Sequence, residues 1–376
     1  MTYQFRIFES TATLPTNWND VAAQSLFLQT TYLRVLENSA PTNIHCQFIG
    51  IYQADELIAT AMLQHLDLGK LAGFGNRDHG LLTIARNFLF KRYASKLAII
   101  GNNMLTGQHA ISFSPQANQP EVFAGLKDFV DALHPAPHLT IFKDFDPIDA
   151  PLFDQVAFQK SLKFSSQPNM FIELRGEWKE EADYLNALTK KYRDQYKRAR
   201  KKASGIEKRQ LSLEEVEKLE NEIYALYRHV ADHAPFNTFF LAKNHFYSLK
   251  KELGADFRFF AYFENNELIG FNTLIHHDEI LETYFLGYDD KIQKEKMLYL
   301  NMLYDMIGCS IHNGFKRINF GRTAMEIKSS IGAKPEQLFG WMQHKNHWIN
   351  KNLGFFFNLL EPEAQWTARN PFKELD

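Results

Sequence analysis

The feature that most constrains the fold of this chain is an internal repeat, in which three segments recur in the same order about 210 to 220 residues apart. The matched pairs are residues 27–36 with 240–249, 48–59 with 259–270, and 96–101 with 316–321. Each match alone is short, but three matches in one order are hard to ascribe to chance. The repeat therefore predicts a tandem duplication of one structural unit.

Signals of strands and helices alternate along both copies, which is typical of α/β proteins. A chain of 376 residues also exceeds what one hydrophobic core usually serves. Prolines, followed by a crossing segment at 158–169, mark the transition between the copies. We therefore predict two domains, 1–165 and 166–376, each a mixed central sheet flanked by helices. We expect residues 338–360 to complete the second sheet.

Bulk composition excludes several classes of protein. The formal net charge is −2 and the chain has 2 cysteines, so neither a global attraction to polyanions nor a disulfide framework is indicated. The sequence shows no signal peptide and no apolar run of about 18 residues. The histidines lack the spacing with acidic or thiol partners that indicates a metal site. These observations predict a soluble, cytoplasmic protein without a metal centre.

The strongest local signal is a long basic helix predicted over residues 179–203, in which apolar residues recur every three or four positions. Its other faces concentrate eight cations, Lys190, Lys191, Arg193, Lys197, Arg198, Arg200, Lys201 and Lys202. Cations this close repel one another unless an anion offsets them. The helix is therefore predicted to contact phosphates of a nucleotide, coenzyme A, RNA or a membrane surface. The alternative is a solvated helix face.

A second candidate site follows the strand that is predicted to end at Phe320. Gly321, Arg322 and Thr323 come directly after this strand, and Lys328 follows a few residues later. Groups just beyond the carboxyl end of a strand line the usual ligand crevice of an α/β sheet, and a helix start there offers amides to anions. This segment is therefore predicted to bind an anion. The alternative is a tight turn with surface charges.

Candidate groups for proton transfer lie on the predicted strand 280–287 and directly after it. Regular alternation of side chains would place Glu282, Tyr284 and Tyr288 on one face. A carboxylate can take the proton of an attacking amine, and a phenol can return one to a leaving group. We therefore predict these three as catalytic residues. The alternative is an ordinary strand with two packing tyrosines.

Two segments resemble the FemAB family. Residues 320–333 are similar to its closing pattern, in which Gly ends a strand and a Lys, two variable residues, an apolar residue and Gly follow. Residues 188–202 are similar to its Arg/Lys-rich helix. The chain also resembles the GNAT-type proteins described as peptidoglycan biosynthesis or recognition proteins. The resemblance implies two tandem GNAT-like domains, the acyl-CoA N-acyltransferase fold.

The resemblance also implies a chemistry, the transfer of an acyl or aminoacyl group to an amine. FemAB proteins use aminoacyl-tRNA and a nucleotide-linked cell-wall precursor, whereas ordinary GNAT enzymes use acyl-CoA. Lys328 matches the motif lysine and is thereby implied to touch a phosphate or a developing charge. The cations of the basic helix would hold donor or acceptor phosphates. The expected partners are thus a small or nucleotide-linked amine, tRNA and, peripherally, a membrane surface.

One departure from the ordinary GNAT pattern bears on the donor. That pattern places glycines between a central strand and a helix so that backbone amides can cradle pyrophosphate. The corresponding stretch here, Asp289 to Met297, contains no glycine, and the segment 70–75 mimics the spacing in the first domain. Use of acyl-CoA by the second domain is therefore disfavoured. A degenerate GNAT pair that only binds an anionic ligand is the further alternative.

Overall fold

A computed structural model describes residues 3–71, 91–234, 237–360 and 366–373. The sequence also predicts a helix near 81–94, which falls mostly outside these residues, as do the glycines of the 70–75 segment. None of the described helices is long and apolar enough to cross a bilayer. The chain forms two compact units. The first comprises Met1–Ser166, Pro235–Ser248 and Gln337–Glu363, and the second comprises Gln167–Ala234, Leu249–Glu336 and Ala364–Asp376.

The described strands and helices are numbered separately in chain order. The strands are β1 (Tyr3–Phe8), β2 (Ile44–Gln53), β3 (Glu56–Asp67), β4 (Lys96–Ile100), β5 (Ile111–Phe113), β6 (Leu139–Phe145), β7 (Leu162–Phe164), β8 (Asn169–Glu173), β9 (Glu207–Gln210), β10 (Phe257–Glu264), β11 (Glu267–His277), β12 (Ile280–Tyr288), β13 (Arg317–Gly321), β14 (Lys334–Glu336) and β15 (Phe339–His344). The helices are α1 (Trp18–Val21), α2 (Thr30–Ser39), α3 (Gln119–Asp131), α4 (Glu181–Ala187), α5 (Lys190–Lys202), α6 (Leu213–Lys218), α7 (Glu220–Asp232), α8 (His245–Leu253), α9 (Asp290–Lys296), α10 (Leu298–His312), α11 (Met325–Ser329), α12 (His347–Lys351) and α13 (Leu353–Leu360).

The sheets of the two units share the same pattern of parallel and antiparallel neighbours over seven strand positions. The first has the strand order β1-β2-β3-β4-β6-β15-β7, with β5 beside β3, and the second has the order β9-β10-β11-β12-β13-β8-β14. Among the described strands, one pair in each path is parallel, β4 with β6 and β12 with β13. The remaining neighbours in both paths are antiparallel. The predicted duplication of a mixed α/β unit is therefore confirmed.

The second repeat match, 48–59 with 259–270, corresponds to two equivalent hairpins, β2–β3 and β10–β11. Their two-residue turns are alike, because φ is 48° and 67° at Ala54 and Asp55, and 52° and 66° at Asn265 and Asn266. Positive φ at both central residues gives a turn whose twist matches the twist of paired strands. The local sequence thus determines the same supersecondary unit twice.

The topology corrects the third repeat match. Residues 96–101 contain β4, whereas 316–321 contain β13, and the position of β13 in the first sheet is held by β6. Both segments are short apolar strands that end at a glycine. That pattern is common to buried strands, so it does not identify which strand of the sheet is meant.

The strand β15 corrects the prediction that the tail completes the second sheet. It pairs with β6 and β7 in the first sheet. Trp341 of β15 stacks on Phe153 with 3.6 Å between ring centroids, inside the aromatic core of the first unit. In the second sheet the equivalent position belongs to β8, which precedes that unit's other strands. The predicted boundaries, 1–165 and 166–376, place the segment 337–363 in the second domain, whereas this segment belongs to the first unit.

The basic helix predicted over 179–203 is two helices, α4 and α5. Leu188 and Thr189 between them are extended, with ψ of 149° and 162°. Their backbone is held by the C-terminal segment, because the Thr189 amide donates to the Pro371 carbonyl and the Lys373 amide donates to the Ala187 carbonyl. The single-helix prediction was wrong because helical periodicity continues across a break that a distant segment stabilises.

Candidate functional site

The carboxyl end of the parallel pair β12–β13 is where the second sheet opens. The two strands pair only from Ile280–Arg317 to Glu282–Asn319. Beyond Glu282, the described residues of β12 pair with β11 alone. Two parallel strands that separate at their carboxyl ends create the crevice in which α/β proteins usually bind ligands. The last paired residues therefore lie at the base of a candidate site.

Glu282 lies at the base of this crevice with its side chain almost fully buried, at 6% exposure. The Asn319 Nδ2 atom donates a hydrogen bond of 2.6 Å to Oε1 of Glu282. Burial raises the pKa of Glu282 to about 7, although the Asn319 bond and the Arg317 charge oppose the increase. A carboxyl group with such a pKa can hold or release a proton near neutral pH, as a general base requires.

Glu282 belongs to a polar network that runs across four strands. Nε of Arg317 donates to Oδ1 of Asn319 at 2.8 Å, and the Arg317 guanidinium also pairs with Glu336. Nδ2 of Asn169 donates to Glu336 at 3.3 Å. The Arg317 and Glu336 side chains are 24% and 25% exposed. The buried carboxyl group is thus connected through Asn319 to groups at the surface, which gives the site an outer polar rim.

The structure corrects the prediction that Glu282, Tyr284 and Tyr288 share one face. The register between β11 and β12 shifts opposite Thr273, where β12 carries one extra residue. A bulge of this kind reverses the alternation of the side chains that follow it. Tyr288 consequently packs on α10, where its ring is 6.1 Å from that of Tyr299. Glu282 and Tyr288 therefore cannot act together on one small substrate.

Neighbouring residues identify the two faces. Leu281 and Ile318, which precede Glu282 and Asn319, belong to the buried cluster that includes α5 and α10. Because side chains alternate along a strand, Glu282 and Asn319 point to the opposite face of the sheet. The carboxyl group and the basic helix α5 thus lie on different faces of the second sheet. A ligand that touches both has to extend around the crevice.

Lys328 has a different role from the predicted contact with substrate. Its side chain is buried, and Nζ donates to the carbonyls of Phe320, Gly321 and Arg322 at 2.7, 3.1 and 2.7 Å. Burial lowers the pKa of Lys328 to about 7, while the three carbonyls favour the protonated amine. All three N–H groups of the ammonium are used within the protein. Lys328 is therefore a positioning residue that holds the loop after β13.

The loop after β13 has a strained backbone. Gly321, Thr323 and Ala324 have φ of 67°, 65° and 47°. Glycine adopts this left-handed region freely, but each other residue pays about 1 kcal/mol for it. Arg322 is fixed by its Nε, which donates to the Gln167 carbonyl at 2.8 Å. The predicted anion-binding segment is thus a strained turn whose backbone geometry depends on Lys328.

The predicted phosphate-binding cations of the basic helix fall into two groups. Arg193 donates to the Leu188 carbonyl, and Arg200 pairs with Glu181 at 3.0 Å and with Asp305 at 2.7 Å. The assignment of Arg200 to phosphate binding is corrected, because two carboxylates already neutralise it. The other six are exposed and form no ion pair with a described residue: Lys190, Lys191, Lys197, Arg198, Lys201 and Lys202.

The start of α9, on the β12 side of the crevice, is occupied by the protein's own carboxylate. Oδ1 of Asp289 accepts from the amides of Lys291 and Ile292 at 2.9 and 3.1 Å. These are the amides that an anion bound at the helix start would need. The stretch from Asp289 to Met297 thus has no glycine, and the Asp289 carboxylate occupies the amides at its helix start.

Asp289→Ala is expected to lower the free energy of unfolding by about 1 kcal/mol, because two amides at the start of α9 lose their acceptor. Urea denaturation monitored by circular dichroism measures this loss. Asp289→Asn is the matched control and should retain most of the stability, since asparagine caps helices as well as aspartate does. Equal losses in both variants would contradict the capping role.

A cavity of about 450 Å³ lies beside the Lys328 segment in the second unit. Ser329, Gly332 and Ala333 form one wall, and Trp366 and Phe372 contribute aromatic surface. Four cations also line it, namely Arg175, Lys334, Arg369 and Lys373, of which Arg369 is already paired with Glu326. A concave site with apolar walls and convergent charges is the usual form of a small-ligand site. Residues 320–333 therefore border a cavity that is lined by several cations.

Reasoning from the sequence missed the partners of Glu282. Asn319, Arg317, Asn169 and Glu336 come together from strands as far as 167 positions apart, so no linear spacing reveals them. One signal was present, because Asn319 interrupts the apolar strand Ile318–Phe320. A buried amide in such a strand has to be hydrogen-bonded, which points to a polar partner on the neighbouring strand.

Comparison with known proteins agrees with this architecture. A family model described as acetyltransferase (GNAT) domain matches residues 190–329, from the first residue of α5 to the last residue of α11. The crevice, Glu282 and Lys328 all lie within this range. A search of curated protein sequences finds no significant match.

Solved structures are similar to nearly the whole length of this chain. The crystal structure of FemX gives a TM-score of 0.53 at 11% identity, covering 96% of this chain and 100% of that chain. The C-terminal domain (DUF2156) of a putative lysylphosphatidylglycerol synthetase from Agrobacterium fabrum gives a TM-score of 0.52 at 9% identity, covering 96% of this chain and 100% of that chain. A tandem GNAT protein from the clavulanic acid biosynthesis pathway gives a TM-score of 0.52 at 9% identity, covering 92% of this chain and 99% of that chain. The fold predicted from the sequence, two tandem GNAT-like domains, is confirmed.

Proposed function

We propose that this FemAB-like tandem GNAT protein is an N-acyltransferase that moves an aminoacyl group from tRNA to an amine, with the amine of a cell-wall precursor as acceptor. The observation that carries the proposal is the GNAT domain over residues 190–329, in which a buried carboxyl group with a pKa of about 7 lies at the base of the crevice. N-acyl transfer needs a group that takes the proton of the attacking amine, and Glu282 is suited to that step.

The chemistry follows from the placement of Glu282. The amine nitrogen attacks the carbonyl carbon of the donor, and its proton passes to the Glu282 carboxylate, directly or through a water. The ester bond to the donor then breaks, and the leaving hydroxyl takes up a proton. Tyr284, at the bulge of β12, is the proposed source of that proton. The network behind Asn319 orients Glu282 throughout.

The start of α9 supports tRNA over acyl-CoA as the donor. The Asp289 carboxylate holds the amides of Lys291 and Ile292, so a pyrophosphate would have to displace it against charge repulsion. The exposed cations of α5 instead form an extended positive surface, which suits a long polyanion. Among the neighbours in fold, the putative lysylphosphatidylglycerol synthetase has a name that indicates transfer of an amino acid, and it supports this direction.

Charge reversal on α5 tests the donor. The quadruple variant Lys197→Glu, Arg198→Glu, Lys201→Glu and Lys202→Glu is expected to weaken binding of bulk tRNA by about 100-fold or more at moderate salt. The slope of log affinity against log salt should fall by about 3 to 4, one unit for each lost phosphate contact. Fluorescence anisotropy with labelled tRNA over a series of salt concentrations measures both quantities.

The matched control reverses four exposed lysines elsewhere in the second unit, Lys218, Lys251, Lys294 and Lys316. It changes the net charge by the same amount and should leave most of the affinity in place. If both quadruple variants weaken binding equally, the α5 surface is not specific for tRNA. If neither does, α5 is a solvated helix face.

Thermal shift with three ligands tests the proposal as a whole. Bulk aminoacylated tRNA and a nucleotide-linked muropeptide should each raise the melting temperature in a dose-dependent way, and a labelled amino acid should pass between them. A shift with coenzyme A instead would favour an acyl-CoA-dependent N-acetyltransferase. Binding of tRNA or muropeptide without any transfer would favour a degenerate GNAT pair that only binds an anion.

A further inference from the structure

Three potential metal ligands from two separated segments meet beside the carboxyl end of β12. His229 lies in the last turn of α7, His233 directly follows that helix, and Asp290 begins α9. Each offers one ligand atom, and the three atoms all lie within 4.8 Å of one another. The sequence did not predict this cluster, because Asp290 is far from the histidines along the chain.

One distance within the cluster matches the spacing of two ligands on a coordinated ion. His229 Nε2 and Asp290 Oδ2 are 3.4 Å apart. Two ligand atoms at about 2.0 to 2.1 Å from a tetrahedral zinc ion are about 3.4 Å apart, so the spacing of these two atoms suits a shared ion. His229 Nε2 also accepts a long hydrogen bond of 3.4 Å from the Asp290 amide, which a bound ion would replace. His229 and His233 are four positions apart and therefore lie on the same side of a helical turn.

Hydrogen bonding prepares His233 for coordination. Its Nδ1 is 2.6 Å from the His229 carbonyl oxygen, which can only accept, so Nδ1 carries the proton. The lone pair is then on Nε2, which is the atom left for a metal. Metal-binding histidines usually donate their other ring N–H to a carbonyl or carboxylate in this way. The neighbouring Asp289 carboxylate already accepts hydrogen bonds from two backbone amides, so Asp290 is the carboxylate that can bind the metal.

We propose that His229, His233 and Asp290 bind a divalent transition-metal ion of the zinc class. Two imidazoles and one carboxylate suit zinc, cobalt and nickel better than calcium or magnesium, which prefer oxygen ligands alone. Three protein ligands leave at least one position on the ion for water or an anionic group. A bound metal ion would link the end of α7 to Asp290, the first residue of α9. This inference does not depend on the transferase proposal.

Untagged protein titrated with Zn²⁺ in a calorimeter should bind one equivalent. Co²⁺ should give visible absorption bands typical of a tetrahedral or five-coordinate site, and Zn²⁺ should remove them by displacement. His233→Ala is expected to weaken Zn²⁺ binding by about 30-fold or more, and Asp290→Ala by about tenfold. Neither readout needs an acyl donor or acceptor.

His45→Ala is the matched control, because His45 is also exposed and lies 3.0 Å from a carboxylate, that of Glu9. Its Zn²⁺ affinity should stay within about twofold of the unaltered protein. Circular dichroism verifies that every variant is folded. The proposal is overturned if the unaltered protein does not bind one saturable equivalent, or if His233→Ala and Asp290→Ala bind as tightly as the control.

Discussion

Glu282→Gln is expected to lower the rate of aminoacyl transfer by about 100-fold or more, because an amide cannot take the proton of the attacking amine. Its oxygen can still accept the Asn319 hydrogen bond, so the fold should be preserved. Transfer is measured as labelled amino acid incorporated into the amine acceptor under single-turnover conditions. The unaltered protein should lose activity as pH falls below about 7, where Glu282 becomes protonated.

The same variant has a second readout that does not require activity. Burial raises the pKa of Glu282 to about 7 in the folded protein, from 4.5 as the ordinary value. Between these values the folded protein keeps a proton that the unfolded chain has released, so this group stabilises the protein at low pH. That contribution, about 3 kcal/mol in total, is lost progressively as pH rises from about 4.5 to about 7. Glu282→Gln should flatten this part of the stability profile.

Glu279→Gln is the control for both measurements. Glu279 lies just before β12, is largely exposed and pairs with Lys316 at the surface. Its loss should leave transfer and the pH profile of stability nearly unchanged, since surface ion pairs contribute little. Transfer by Glu282→Gln at close to the normal rate would rule out Glu282 as the base. An unchanged pH profile would show that its pKa is not raised by burial.

The fold could be predicted from the sequence because the signals for it are local. Alternating apolar residues and two-residue turns such as Ala54-Asp55 and Asn265-Asn266 specify each hairpin within a few positions. The duplication was therefore visible before any contact was known. What the sequence did not indicate is which sheet each strand joins, because β15 pairs with strands almost 200 positions earlier. Such pairings depend on tertiary packing rather than on local pattern.

For the candidate site, the sequence indicates residues more readily than their geometry. The sequence indicates both Glu282 and Lys328, and both lie near the place where β12 and β13 stop pairing. Their roles could not be read from spacing, because the bulge in β12 and the three carbonyls around Lys328 exist only once the chain is folded. Likewise, the break at Leu188 depends on the segment around Pro371, which no helical periodicity can reveal.

Lys328→Met is expected to lower the free energy of unfolding by about 3 kcal/mol. Methionine fills most of the space of the lysine stem, but the carbonyls of Phe320, Gly321 and Arg322 lose their donors in a buried environment. The turn with positive φ at Thr323 and Ala324 then loses what holds it. Urea denaturation with a check that the m-value is unchanged measures the loss.

Lys316→Met is the matched control, because Lys316 is 71% exposed and its removal should change stability by less than about 0.5 kcal/mol. Transfer activity distinguishes the two roles considered for Lys328. If Lys328 only holds the loop after β13, the Lys328→Met protein should lose both stability and transfer activity, because that loop forms one wall of the crevice and moves. If Lys328→Met instead abolishes transfer while stability falls by less than about 1 kcal/mol, the amine acts on the substrate directly and the structural role assigned to it is wrong.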